Sequence, residues 1–189
     1  MKKILLLLLL IGTHSSHALF IEPYLFSGMG TAKHPNESES PKMMTHSIGA
    51  SVGFSILGPV QFGVSADYRF YNQLDEVKSP YGNRTGSRLA ISPTLAVKLG
   101  PVLLKYNYQM YGDYELSNNT DSGNSITYTD VKGHTFFLSI PFSPLLRIGA
   151  FYELEKFESV ITGSTESDLT TNNNELEFNK IGLYMSVFI

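Results

Sequence analysis

Apolar and polar residues alternate with a period of two along most of the chain beyond residue 19. Over residues 47–56, every second side chain is Ile, Ala, Val or Phe, and the residues between them are Ser or Gly. The alternation returns over 60–71, 88–98, 104–110, 135–142, 146–155 and 180–189, and less regularly over 20–30. Because successive side chains of a strand point to opposite faces, this pattern predicts eight β-strands, each with one apolar face.

Short and long connections alternate between these strands. The sequence Leu-Gly-Pro-Val at 57–60 recurs at 99–102, and the variant Phe-Ser-Pro-Leu follows at 142–145. Proline fixes φ and cannot donate to a strand ladder, so these repeats predict tight turns near Gly58, Gly100 and Ser143. The remaining connections are predicted to be polar loops at 31–46, 72–87, 116–132 and 158–176. The strands therefore run up and down, with every long loop on one side.

The first eighteen residues are typical of an export signal. Lys2 and Lys3 precede an apolar run at 4–11, and Ser-His-Ala at 16–18 is a small-x-small cleavage site. The apolar run is too short to span a bilayer as a helix. Cleavage after Ala18 would leave 19–189 as a single β-barrel domain. The chain has no Cys, which excludes disulfides and lipid attachment through an N-terminal cysteine.

Composition indicates which face of the strands is wet. Charged residues make up 16% of the 189 residues, below the roughly 25% of typical soluble domains, whereas Tyr and Phe are abundant. The polar face carries Gly, Ser, Ala and Thr, which suit a narrow interior, and the central apolar face carries no charge. These features predict a transmembrane barrel with its apolar face outward, closed by pairing of the first and last strands. The alternative is a soluble, lipocalin-like barrel with the apolar face inside.

The chain resembles the small eight-stranded outer-membrane barrels of the OmpA and OmpX type. The resemblance covers residues 19–189 and rests on the opening Ile-Glu-Pro-Tyr at 21–24, the alternating strands and a last strand that ends with the chain. It implies an all-β, antiparallel, up-and-down barrel in the outer membrane of a Gram-negative bacterium. It also implies that the assembly machinery reads the last strand, although Ile189 stands where these barrels usually carry an aromatic residue. No peptidoglycan-binding domain follows, so a wall-tethering role is not implied.

Charged residues recur on the face predicted to line the lumen. The periplasmic end carries Glu22, Lys98, Lys105 and Arg147, and the outer end carries Asp67, Arg69, Arg88, Glu153, Glu155 and Lys180. In a lumen that side chains nearly fill, each buried charge needs a partner, so these residues predict a plug of ion pairs. We expect Glu22 to pair with one or more of Lys98, Lys105 and Arg147. The alternative is a gate for ions or small solutes.

Aromatic residues on the apolar face are predicted to anchor the barrel in the membrane. Those near the outer boundary are Tyr68, Phe70, Tyr106, Tyr108, Phe136 and Tyr152, and those near the inner boundary are Phe62 and Phe142. Their expected partners are outer-membrane lipids and lipopolysaccharide.

Little in the sequence indicates catalysis. Beyond the signal, the histidines are His34, His46 and His134, which are expected to be exposed or interfacial and lack metal-ligand spacing. We therefore expect a non-enzymatic monomer without metal, cofactor or, at a net charge of −3, a nucleic-acid partner. The predicted role is structural or surface-interacting through the four outer loops, whose ligand the sequence does not identify. The alternatives are a narrow channel or small-solute transporter, and a lipid-modifying enzyme.

Overall fold

The computed structural model describes residues 19–35, 40–56, 59–74, 84–116, 126–172 and 175–188. The export signal at 1–18, the turn at Gly58 and the terminal Ile189 lie outside these residues. The strands are β1 (Leu19–Lys33), β2 (Lys42–Ile56), β3 (Val60–Leu74), β4 (Arg84–Leu99), β5 (Val102–Gln109), β6 (Tyr114–Leu116), β7 (Ile126–Pro141), β8 (Leu146–Thr162), β9 (Thr165–Asp168) and β10 (Leu176–Val187). A short 3₁₀ helix spans Thr170–Asn172. Within the described part of the chain, no helix has the length and apolar character to cross a membrane.

The strands form one closed antiparallel barrel. Strands that follow one another around the wall are paired antiparallel, and β1 pairs with β10 to close the sheet. β5 and β6 together occupy one position in the wall, between β4 and β7, and β9 folds back along β8. The wall therefore has eight positions, and the predicted eight-stranded up-and-down fold is confirmed.

The polar face of the strands points inward and the apolar face points outward. Ser51 and Ser65 are completely buried in the barrel, whereas Ile48 is 65% exposed and Leu183 is 74% exposed on its outer wall. A soluble barrel would bury the apolar row, so the lipocalin-like alternative is wrong. An outer wall of this kind is suited to lipid.

The strands are longer than the alternation predicted, because the pattern inverts near their outer ends. Phe157 and Phe178 point inward there, whereas Lys156 and Glu177 lie on the outer wall. Much of the predicted loops at 31–46, 72–87, 116–132 and 158–176 is consequently strand. A strand that leaves the apolar environment exposes its polar face to water and turns its apolar face inward. The period of two therefore continues while the two faces exchange character.

The wall is interrupted between β5 and β6. Thr94 pairs with Asn107 and Ile91 pairs with Tyr111, so the β5–β6 side contains one more residue than β4 over this interval. Such a bulge bends the wall locally. Gly112 follows with a φ of 127°, and a Cβ atom there would lie 2.1 Å from the carbonyl oxygen of Leu89. Both the backbone angle and the close approach require glycine.

Replacement of Gly112 by Ala is therefore expected to destabilise the barrel by about 1–3 kcal/mol, through strain at a special backbone position. Urea unfolding of the barrel in lipid vesicles measures the loss. Gly100→Ala is the matched control, because Gly100 also has a positive φ, of 60°, but nothing lies within 4 Å of a Cβ atom there. Equal losses in the two variants would show that the close approach to Leu89 adds no cost.

Candidate functional site

The inner level of the lumen holds a buried ion pair. Lys105 Nζ lies 2.9 Å from Glu22 Oε2 and donates to Ser51 Oγ at 2.7 Å. Tyr184 donates its hydroxyl to Glu22 Oε1 at 2.7 Å. Both charged side chains are buried, so the carboxylate and the ammonium compensate each other away from water.

The middle of the lumen is lined differently on its two sides. On the side formed by β2 to β5, small residues form a chain of hydrogen bonds from Ser51 through Ser65 and Thr94 to Asn107. On the side formed by β1, β7, β8 and β10, a buried aromatic cluster consists of Tyr24, Phe26, Phe137, Phe151 and Tyr184. Gly28 and Gly182 lie opposite each other beneath the Phe151 ring, which a Cβ atom at either position would approach to 2.7 Å. The missing side chains make room for this large ring.

A second set of charges lies on the outer side of the aromatic cluster. Its members are Asp67, Arg69, Arg88, Glu153, Glu155 and Lys180, and we call them the charge cluster. Arg69 Nη1 lies 2.5 Å from Glu153 and 2.6 Å from Glu155, and its Nε contacts Asp67. Lys180 contacts both Glu153 and Glu155, and Arg88 Nη2 lies 3.0 Å from Glu155. These six side chains have no solvent exposure, and their three acids balance their three bases.

Neutral side chains complete the coordination of the charge cluster. Tyr24 and Ser47 each donate to Asp67 at 3.0 Å. Thr135 and Gln109 each donate to Glu153 at 2.6 Å. Asp67 and Glu153 therefore accept hydrogen bonds from neutral groups as well as pairing with cations, which lowers the cost of burying them. Within the described residues, Nε and Nη1 of Arg88 have no hydrogen-bond partner.

Aromatic faces lie against the buried cations at both levels. Lys105 Nζ is 4.4 Å from the centre of the Tyr24 ring, and Lys180 Nζ is 4.6 Å from that of Tyr71. Arg69 lies 5.2 Å from the centre of the Phe26 ring. These cation–π distances show that charged and aromatic layers are in direct contact along the lumen.

An apolar cluster closes the outer end of the lumen, and we call it the outer cap. It is built from Ala32, Met43, Tyr71, Tyr114, Tyr128, Val131, Phe157, Leu176 and Phe178. Leu169, which follows β9, packs against it. The sequence interpretation missed the cap because most of these residues fell in predicted loops. The inverted alternation at the strand ends is the signal that could have identified it.

The structure brings together eight of the ten predicted lumen charges, in the Glu22–Lys105 pair and the charge cluster. Lys98 lies outside both groups, because it is near the end of β4 and its side chain is exposed. Arg147 donates to the carbonyl oxygen of Pro101 at 2.9 Å and contacts Ser139. Both side chains lie at the inner rim and do not pair with Glu22 in the described part of the chain.

The predicted girdle residues all lie on the outer face. Tyr106, Phe136 and Tyr152 occupy paired positions on β5, β7 and β8, with 5.2 Å between the first two ring centres. On β3, the ring centres of Tyr68 and Phe70 are 4.8 Å apart. The other outward-facing members of the predicted set are Tyr108, Phe62 and Phe142.

Two of the three histidines lie on the outer wall, and the third is buried. His46 contacts Ser27 at 2.9 Å and His134 contacts Tyr106 at 2.8 Å, both through Nδ1. His34 was expected to be exposed, but it is 3% exposed and contacts Gln73 at 2.6 Å through Nε2. The longer strands account for this difference, because they place residue 34 beside the outer cap, where its ring is 6.4 Å from that of Tyr128. Among the described residues, no group of three or more potential metal ligands occurs.

A closed eight-stranded barrel with an apolar wall and charged residues inside has the fold of the small outer-membrane β-barrels. No protein-family model and no curated protein sequence matches the chain. Among solved structures, it is similar to Neisserial surface protein A, NspA, with a TM-score of 0.59 and 14% identity over 92% of this chain and 99% of that one. It is also similar to Ail, the attachment invasion locus protein of Yersinia pestis, with a TM-score of 0.51 and 12% identity over 90% of this chain and 98% of that one.

Proposed function

We propose that the chain is an integral outer-membrane protein whose lumen is sealed and whose role is structural or surface-interacting. The observation that carries this proposal is the continuous filling of the lumen. The charge cluster, which has no net charge and no solvent exposure, lies between the aromatic cluster and the outer cap. Along β8, for example, Phe151, Glu153, Glu155 and Phe157 are successive buried residues of the inner face. Moving an ion past these layers would require several buried ion pairs to break.

The outer wall supports a membrane location. Large apolar side chains are exposed on every strand of the wall from β1 to β5 and on β7, β8 and β10. Exposed apolar surface of this extent is typical of a surface that contacts lipid or another protein. We infer that outer-membrane lipids cover it, and that the assembly machinery acts through β10, which pairs with β1 at the closing seam.

The outer end of the barrel offers a polar surface for recognition. The β8–β9 hairpin carries four exposed polar residues on β9, which are Thr165, Glu166, Ser167 and Asp168. Asp168 accepts hydrogen bonds at 2.7 Å from the backbone N–H and the hydroxyl of Thr170, which orders the following turn. We therefore assign any surface interaction to the outer connections and their bases rather than to the lumen.

Planar-bilayer recording tests the sealed lumen. Purified chain 19–189, refolded into lipid, is expected to insert without discrete current steps across a range of salt and voltage. Heat-dependent electrophoretic mobility provides the folding control, and protease protection in vesicles provides the insertion control. Regular openings of the inserted barrel that change in Glu153→Gln would contradict the sealed lumen and favour the channel alternative.

A further inference from the structure

The outer wall changes from apolar to charged along a single row of paired positions. In the strand register, Lys132 on β7 lies opposite Lys156 on β8, Lys156 lies opposite Glu177 on β10, and Glu177 lies opposite Lys33 on β1. On the side toward the membrane, Leu154 on β8 and Ile181 on β10 are exposed apolar residues. This row therefore marks the level at which lipid head groups would meet the wall.

A groove of about 320 Å³ crosses β7, β8 and β10 at this level. The residues that matter for its chemistry are Lys132, His134, Leu154, Lys156, Glu177 and Asn179. Two ammonium groups, an imidazole and an amide provide hydrogen-bond donors, and Leu154 provides an apolar base. The groove thus combines donors for an anion with a surface for a hydrocarbon chain.

Two tyrosines hold His134 in position. The Tyr106 hydroxyl lies 2.8 Å from His134 Nδ1, and the ring centres of Tyr106 and Tyr108 are 6.0 and 5.4 Å from that of His134. When the Tyr106 hydroxyl donates to Nδ1, the ring hydrogen lies on Nε2. His134 then contributes a donor whose orientation is fixed before any ligand arrives.

The two lysines face each other across β7 and β8, although like charges at opposing positions repel. Carboxylates hold both of them. Lys132 Nζ lies 2.7 Å from Glu158, and Lys156 Nζ lies 2.9 Å from Glu175 and 4.0 Å from Glu177. The Lys132–Glu158 pair is partly exposed and contributes little stability, whereas Glu175 is only 6% exposed. Each ammonium has three donors, so both lysines retain hydrogen bonds to offer an anion. A shared phosphate would also relieve the repulsion between them.

We propose that this groove binds the phosphate of an anionic lipid of the outer leaflet. The phosphate accepts from Lys132, Lys156 and His134, and the acyl chains lie along the apolar wall below. That wall distinguishes a lipid from free phosphate as the occupant, because Leu154, Ile181 and Tyr152 continue directly from the groove. The inference rests on the outer-membrane location proposed above.

The test compares lipid A that carries both phosphates with lipid A of the same acylation from which both have been removed. Each is mixed at low content into phosphatidylcholine nanodiscs that contain the barrel, and native mass spectrometry measures the bound fraction. We expect preferential binding of the phosphorylated form. Lys132→Gln/Lys156→Gln should weaken it by about 25-fold, at about fivefold for each lysine near a membrane surface.

Lys42→Gln is the control for the single variants Lys132→Gln and Lys156→Gln, because it removes one positive charge from β2, outside the groove. If this control lost as much lipid A binding as the groove variants, the binding would come from a general attraction to positive charge on the outer wall rather than from the groove. Equal binding of the two forms of lipid A would exclude phosphate recognition, and either result overturns the proposal. Failure of the barrel to insert, seen by protease protection, would instead contradict the outer-membrane location.

Discussion

Substitution of Arg69 by Met is expected to lower the free energy of unfolding by about 3–5 kcal/mol, because it leaves buried carboxylates without compensation. Arg69 contacts Asp67, Glu153 and Glu155, and none of these side chains is exposed. Without Arg69, the charge cluster would hold three acids against two bases. Methionine retains much of the volume and the contact with Phe26, so the loss reports mainly on charge.

Urea unfolding in vesicles, followed by heat-dependent electrophoretic mobility, measures this effect. The matched control is Lys33→Met, which removes a lysine whose ion pair with Glu177 is 3.8 Å long and largely exposed. That variant should change stability by less than about 1 kcal/mol. A loss of similar size in the two variants would show that Arg69 is not needed to compensate the buried carboxylates.

The second large effect is expected for the Glu22–Lys105 pair. Lys105→Met leaves Glu22 buried with an uncompensated charge and should cost about 3–5 kcal/mol. Glu22→Gln in the same chain removes that charge and keeps an oxygen that can accept from Tyr184, so the double variant should recover most of the loss.

A double-mutant cycle in the same unfolding assay separates these contributions. We expect a coupling energy of about 2 kcal/mol or more between Glu22 and Lys105. The cycle Glu22→Gln with Arg147→Gln is the comparison, because Arg147 bonds to Pro101 and Ser139 rather than to Glu22. Additive losses at Glu22 and Lys105 would show that the pair does not act as a unit.

Alternation was sufficient to predict the eight strands, and composition then indicated which of their faces points inward. Of the ten residues predicted as lumen charges, eight lie in the Glu22–Lys105 pair and the charge cluster. The side-chain period of a strand is a local property, so it can be read without knowledge of the partners. Lys98 and Arg147 occupy inward-facing positions of the alternation. The alternation does not show that both lie at the rim, where long side chains reach solvent or backbone carbonyls. Their placement depends on how far the barrel extends beyond them.

The outer ends of the strands were harder to predict, because their alternation has the opposite polarity. Phe157 and Phe178 belong to the cap only because the strands continue beyond the apolar wall, where water lies outside. His34 is buried for the same reason. The bulge before Gly112 also escaped prediction, since it depends on the register between β4 and β5–β6 rather than on any local pattern. Pairing across strands is a long-range property that one sequence does not display.

The outer cap has a consequence for how variable the exterior of such a barrel can be. Because an apolar core closes the mouth beneath the chain connections, the segments that join β3 to β4 and β6 to β7 start from a surface that already behaves like the top of a small water-soluble domain. Under the sealed-lumen proposal, insertions or exchanges in these segments are expected to leave the filled lumen below unaffected. Under the function proposed above, recognition at the exterior and sealing of the lumen depend on separate parts of the barrel, so the exterior can diversify under selection while the interior stays constant.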